Sequence, residues 1–313
     1  MKITVFGEIL WDVFEDEKKI GGAPFNFAAH ATAEGARVRL ISAVGTDEEG
    51  EMALKRCRQM NVSTDFISVT SQQTGRCTVT LREGTPIYDL SGDMAYDHIR
   101  IPENPDFGNS DEPSALYFGT LAQRSSDSRA ALKRLLANHF DEVFLDINIR
   151  QDYYSSEIIE SSLKAATVLK FSREESAVFG IDGTLEEICE KLMSDHPGLK
   201  LIIVTMDSEG AFVYERGGQV TRSEKPDCKV VSTVGAGDSF SAAFLVNYLN
   251  RVPVRKCLER ASALAGFVCS KLEAVPRYPM DDIRKWRAVY RLLDKVETEV
   301  FDCGSLCGSA CCM

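Results

Sequence analysis

Short apolar runs alternate with longer segments of helical period along most of the chain. Lys2–Phe6, Val38–Val44, Ala115–Phe118, Val143–Ile147, Thr167–Phe171 and Leu201–Met206 are compact and rich in β-branched or aromatic residues, which predicts buried strands. Asn26–Glu34, Gly50–Met60, Asp127–Asn138, Glu157–Lys164, Leu185–Ser194 and Pro253–Lys271 carry apolar residues at helical spacing and predict helices. This βαβα order predicts an α/β fold, a mainly parallel sheet between two helical layers, with ligands beyond the C-terminal strand ends. Two stretches break the rhythm. Trp11–Ile20 reads as a hairpin around a charged turn, Glu15 to Lys19. Gly75–Ile87 sets Cys77, Val79 and Leu81 against Thr78, Thr80 and Arg82, with a turn at 83–86. Amphipathic strands of this kind suit a small sheet with one wet face, so residues of about 11–20 and 75–100 are expected to form a lid from two excursions out of the core.

The 313 residues, 44% hydrophobic, suffice for one large α/β domain or two smaller ones. The net charge of −11 argues against nucleic-acid binding, which needs a basic footprint. No window approaches the roughly 18 apolar residues of a membrane span, and Met1–Glu8 is too short an apolar run for a signal peptide. The expectation is a cytoplasmic, reducing setting without membrane contact. Of ten cysteines, six sit among apolar neighbours and four crowd the end (Cys303, Cys307, Cys311, Cys312). That spacing is not a zinc ribbon's and no histidine is near, so 302–313 reads as a frayed Cys/Gly/Ser tail after a domain at 1–301.

The most informative segment is 230–245. A β-branched pair, Val230 and Val231, leads to Gly235-Ala236-Gly237, then Asp238 opens an apolar, small-residue helix. Two glycines let backbone N–H groups converge at a helix N-terminus, where the dipole favours an anion. Asp238 would repel that anion, unless the site transfers a phosphoryl group and the carboxylate takes the proton of the attacking hydroxyl. A plain reading of the same residues is a glycine turn with an aspartate N-cap. Near the start, Asp12 precedes Gly21-Gly22-Ala23-Pro24-Phe25-Asn26. The glycines allow close approach, and a carboxylate and an amide around them suit a polyhydroxylated ligand. The alternative is a tight turn into a helix capped by Asn26. Asp146, Asn148 and Arg150 alternate at a strand end, which makes Arg150 a candidate contact for substrate or phosphate and leaves a surface ion pair as the alternative. Gln123-Arg124 has the same ambiguity. A P-loop is rejected because Glu51 stands where its lysine would be. The four histidines have no metal spacing.

Together these segments resemble the ribokinase-like (PfkB) family of carbohydrate kinases from about residue 3 to 280, most closely its fructokinase branch. Gly7-Glu8, Asp12 and Gly21–Asn26 look like the family's sugar signature, and 232–240 like its C-terminal signature. The resemblance implies a three-layer αβα sandwich with a β lid. It implies transfer of the ATP γ-phosphoryl group to a sugar primary hydroxyl, with fructose the sugar indicated. Asp238 would be the base, the amides of Gly235, Ala236 and Gly237 would stabilise the phosphoryl charge, and Asp12, Gly21, Gly22, Asn26 and Arg150 would hold the sugar. Ser172, Glu175, Thr205, Gly210, Gly235 and Gly237 would face the nucleotide, with Mg²⁺ reached from Glu175 through water. Members pair through the lid, which extends the expectation of a homodimer. Three positions depart from the pattern: Ser172 replaces Asn, Ser232 replaces an Asp that helps hold a monovalent cation, and Asp207 replaces Gly. The resemblance therefore leaves a monovalent cation beside the anion hole open for this chain. It leaves open 2-keto-3-deoxygluconate as substrate, with Arg76 and Arg82 as the lid cations, and a weakened sugar-binding or regulatory protein.

Overall fold

The computed structural model describes residues 1–82, 85–102, 107, 112–224 and 228–276, without the side chains of 79–88. Met1–Val275 is one compact unit, and of the second, Pro276–Met313, only Pro276 is described. The expected boundary at 301 and the cysteine tail lie outside the described residues.

The chain runs β1 (Lys2–Phe6), β2 (Leu10–Val13), β3 (Lys18–Gly21), α1 (Ala23–Ala33), β4 (Arg37–Gly45), α2 (Glu48–Gln59), β5 (Ile67–Thr70), β6 (Gly75–Arg82) and β7 (Thr85–Leu90). It continues with β8 (Ser114–Phe118), α3 (Ser126–Leu136), β9 (Glu142–Asp146), α4 (Ser156–Ala165), β10 (Val168–Ser172), α5 (Leu185–Asp195) and β11 (Leu201–Thr205). It closes with β12 (Ala211–Glu215), β13 (Val220–Ser223), α6 (Ala236–Leu249) and α7 (Val254–Cys269). The large sheet has the order β13-β12-β11-β10-β9-β8-β1-β4-β5. It is parallel from β11 to β5, and β12 and β13 are antiparallel. The fold is the expected three-layer α/β sandwich.

The layers follow from burial. Leu132 and Leu135 of α3, Leu163 of α4 and Leu192 of α5 join Phe118, Leu145, Phe171 and Val204 of the strands in one apolar cluster. On the other layer α1 lies beside α6, α6 beside α7, and Phe27 of α1 stacks on Tyr117 of β8 at 3.7 Å. Strand order reverses between β1 and β8, so the crevice beyond their C-terminal ends is where an open α/β sheet binds ligands.

The lid is a separate sheet, β3-β2-β6-β7, made from two excursions, of which the second ends at Leu90 rather than near 100, because Ala95 and Ile99 pack into the core cluster. Glu49 of α2 fastens it to the core: its buried carboxylate accepts from Lys18 Nζ at 2.5 Å and Arg76 Nε at 2.6 Å, and its carbonyl accepts from the Trp11 indole at 3.0 Å.

The sequence reading omitted β5, β12 and β13. The last two form an edge hairpin around Gly217 and Gly218, whose φ values of 109° and 88° require glycine. Val230 and Val231 belong to no strand; both are exposed in the irregular segment before α6. The alternation proposed for Asp146, Asn148 and Arg150 also fails, because β9 stops at Asp146 and Asn148 turns to φ 45°. Asp146 is buried and Arg150 exposed.

Candidate active site

The N-termini of α1 and α6 converge because these helices pack side by side. Gly22, at φ 103°, is the N-cap of α1 and Pro24 lies in its first turn, so Asn26 sits inside the helix and caps nothing. A Cβ on Gly22 would come 2.6 Å from the Glu8 carbonyl, so glycine is what lets this turn press onto the end of β1. Gly235, at φ 80°, is the N-cap of α6, which places Asp238 within the first turn rather than at the cap. Neither capping alternative holds. Instead Asn26 Nδ2 donates to Asp238 Oδ2 at 2.8 Å across 212 residues of sequence. The other amide atom, Asn26 Oδ1, is buried without a partner among the described residues.

A cavity of about 2000 Å³ opens here. Asp12, Gly22, Asn26, Arg150, Gly235, Gly237 and Asp238 line it, together with Glu8, Asp146 and Lys170. Gly21 lies behind Asp12, whose Oδ2 would sit 2.6 Å from a Cβ there. The amide expectation is corrected at one position: Ala236 N–H donates to Thr233 O at 3.2 Å, leaving Gly235 and Gly237 to present N–H groups among the described residues. Ser172, Glu175, Thr205 and Gly210 form a separate group at the ends of β10 and β11, where Ser172 pairs with Thr205 in register. Glu175 accepts from Ile149 N–H and Ser172 N–H, both at 2.8 Å, and so ties two strand-end loops together. Asp207 is exposed, and Ser232 Oγ accepts from Val234 N–H.

Burial raises three carboxylates in or beside the cavity. Asp238 is pushed up to about 6 by desolvation, with the Asn26 hydrogen bond and then Lys170 and Arg150 restraining the rise and Asp146 adding to it. Asp12 rises to about 6 by burial against the pull of Arg150 and Lys19. Glu8 rises to about 7, again by burial. Arg150 is thus the cation shared by all three.

Two participants escaped the sequence reading. Glu8 was only part of a motif, yet it is 3% exposed and lines the cavity. Lys170 is buried on β10, paired with Asp146 at 2.9 Å; a lysine inside an apolar strand was its available signal. Two arginines leave the candidate set. Arg76 is held by Glu49, and Arg124 by Asp97, between the rings of Tyr96 and Tyr153 at 4.8 and 4.5 Å. The side chain of Arg82 lies outside the described residues.

Residues 2–280 match the pfkB family carbohydrate kinase pattern. The chain belongs to that family and is a sugar kinase of it. It is similar to 5-dehydro-2-deoxygluconokinase 2 of Bacillus cereus, 27% identical over 279 residues, 81% of each chain. It is also similar to a fructokinase of Rhizobium leguminosarum bv. trifolii, 28% identical over 236 residues, 72% of this chain and 71% of that one. The fold is shared with the crystal structure of fructokinase from Vibrio cholerae O395 in its fructose, ADP and calcium ion bound form. There the TM-score is 0.77 at 20% identity, covering 88% of this chain and 94% of that one.

Proposed function

We propose that this chain moves the γ-phosphoryl group of ATP to a primary hydroxyl of a neutral sugar, fructose first among candidates, with Asp238 as the general base. The observation that carries the reading is the Asn26–Asp238 hydrogen bond, which joins the expected sugar motif to the expected phosphoryl motif at one point of one cavity. Asp12 and the free Oδ1 of Asn26 would take sugar hydroxyls. The N–H groups of Gly235 and Gly237, at the positive end of α6, would take charge from the transferring group. Ionised at neutral pH with a raised proton affinity, Asp238 is suited to accept the alcohol's proton. Closure of the lid would exclude water and favour the sugar over hydrolysis; pairing of two lids into a homodimer belongs to the same proposal.

Among the described residues no group of three or more His, Cys, Asp or Glu is set to hold a metal. Glu175 keeps free lone pairs beside two engaged oxygens, which fits magnesium borne on the ATP phosphates and reached through water. Such an ion would neutralise phosphate charge. Ser232 supplies no carboxylate for a monovalent cation. Among the described residues no helix is long and apolar enough to cross a membrane, and a cytoplasmic site of action belongs to the proposal, as does the absence of a nucleic-acid partner.

An acid sugar is the second reading, favoured by the similarity to a 5-dehydro-2-deoxygluconokinase and by Arg150 as a carboxylate partner. Glu8, Asp12 and Asp238 weigh against it, since an added carboxylate would face three others. ATP turnover over fructose, ribose, 2-keto-3-deoxygluconate and 5-dehydro-2-deoxygluconate decides. Saturable fructose phosphorylation is expected. Turnover confined to the acids replaces the sugar, and sugar binding without any turnover removes the kinase reading.

Two further outcomes are expected. Asp12→Ala raises the sugar KM by about 5- to 150-fold, the equivalent of ~1–3 kcal/mol for a lost charged hydrogen bond, with kcat little changed. An unmoved KM places Asp12 outside the sugar site. The pH profile of kcat/KM falls on the acid side with a midpoint near 6, because the base must be unprotonated and burial has lifted Asp238 to about 6. An acid limb near the ordinary aspartate value of 3.8 would contradict this assignment.

A further inference from the structure

Lys170 is not needed to hold β10 together, since the strand's backbone ladders to β9 and β11 are complete around it. Yet it is buried and lines the cavity. Its Nζ donates to both carboxylate oxygens of Asp146, at 2.9 and 3.1 Å. Asp146 is held in turn by Tyr117 OH at 3.2 Å and Ser241 Oγ at 2.9 Å, the latter from α6 itself. The ammonium also lies 3.6 Å from where a Cβ on Gly237 would be, at the first turn of α6. Burial alone lowers a lysine's hold on its proton. Here burial is outweighed by the carboxylates of Asp146 and Glu175, and the proton is held more tightly than usual.

We propose that Lys170 is a positioning residue of the transfer site: clamped by Asp146, it stations a fixed cation at Gly237, in the first turn of α6, and beside Asp238. It acts through those two groups. The cation strengthens the anion-attracting end of α6 and keeps Asp238 ionised against its burial and the like charge of Asp146, a task that a purely structural ion pair would not perform. The proposal rests on the phosphoryl-transfer reading above.

Asp238 is faced by Asn26 from α1, Tyr117 from β8, Asp146 from β9, Arg150 from the loop after β9, Lys170 from β10, and Glu8 from the end of β1. Removing Lys170 takes away attraction and leaves the like charge of Asp146, so the Asp238 carboxyl must titrate at higher pH. The test is a ¹³C carboxyl titration of the sugar-free full chain, with Asp238→Asn used to assign the resonance. Lys170→Met is expected to raise the Asp238 midpoint by about one unit and to lower kcat about tenfold or more, with the sugar KM nearly unchanged. Lys170→Met combined with Asp146→Asn removes both buried charges. It should recover melting temperature and bring Asp238 back toward its original midpoint, while kcat stays low because the nest has lost its cation. An Asp238 titration identical in the parent and Lys170→Met, or full recovery of kcat in the double variant, overturns the proposal. The titration needs no turnover. Its failure therefore leaves the kinase reading standing, whereas a parent protein inert toward every sugar removes the kinase reading and leaves the charge coupling measured.

Discussion

Asp238→Asn is expected to lower kcat by about 10²–10⁴, the range for loss of a general base, while the sugar still binds. The substitution isolates proton transfer. The amide has the shape of the carboxylate, and its oxygen can go on accepting from Asn26 Nδ2, so the junction between α1 and α6 survives. What disappears is the group proposed to take the alcohol's proton as the oxygen attacks. The environment gives that group its strength: burial holds its affinity near 6, above an ordinary aspartate, while Asn26, Lys170 and Arg150 stop it from being protonated at neutral pH. The same change should remove the acid limb near pH 6 from kcat at saturating sugar, while kcat/KM keeps the fall contributed by Asp12, which is also raised to about 6. Steady-state kinetics and calorimetric sugar binding check both halves. An unchanged kcat would end the assignment, and a loss explained wholly by weaker sugar binding would convert Asp238 into a binding residue.

The two glycine motifs were legible because each depends on local backbone geometry, which sequence encodes directly: glycines at the start of a small-residue helix signal a tight turn at its N-terminus. What each asparagine and aspartate does there was not local. Asn26 and Asp238 both looked like helix caps, and only the packing of α1 against α6 shows that they bond to each other. The lid was readable for the opposite reason. Its strands alternate apolar and polar residues, a pattern that needs no knowledge of the partner strand. Pairing across distance explains the misreadings. Arg76 and Arg124 have the residue type of an anion site, but their carboxylate partners, Glu49 and Asp97, lie 27 residues away in each case. Lys170 was hidden in an apolar run that otherwise said strand, and the acid that allows it to be buried, Asp146, sits on the neighbouring strand. Arg150 reached the cavity although the alternation used to place it breaks at Asn148.

Gly235→Ala is expected to cost about 10²–10³ in kcat, the scale of losing a preorganised oxyanion donor, without unfolding the chain. The left-handed conformation of Gly235, φ 80°, would by itself cost alanine ~1–2 kcal/mol. The surroundings make it worse. A Cβ there would lie 2.6 Å from the Ala274 carbonyl oxygen and 2.7 Å from its Cα, backbone that cannot rotate aside. Nor is that backbone free to retreat: buried His30 donates through Nε2 to the Ala274 carbonyl at 2.9 Å, and Val231 and Ser232 N–H groups bind Cys269 O just upstream. The strain must therefore go into the N-cap, turning the Gly235 and Gly237 amides from their present directions. Gly237→Ala is the contrasting change. That residue has no left-handed φ, and its added Cβ would meet Lys170 Nζ at an ordinary 3.6 Å. It should keep its melting temperature and lose less activity, whereas Gly235→Ala should melt several degrees lower. Calorimetric melting and kcat for the pair give the answer, and equal losses in both would mean that the amides act without the left-handed turn that is meant to aim them.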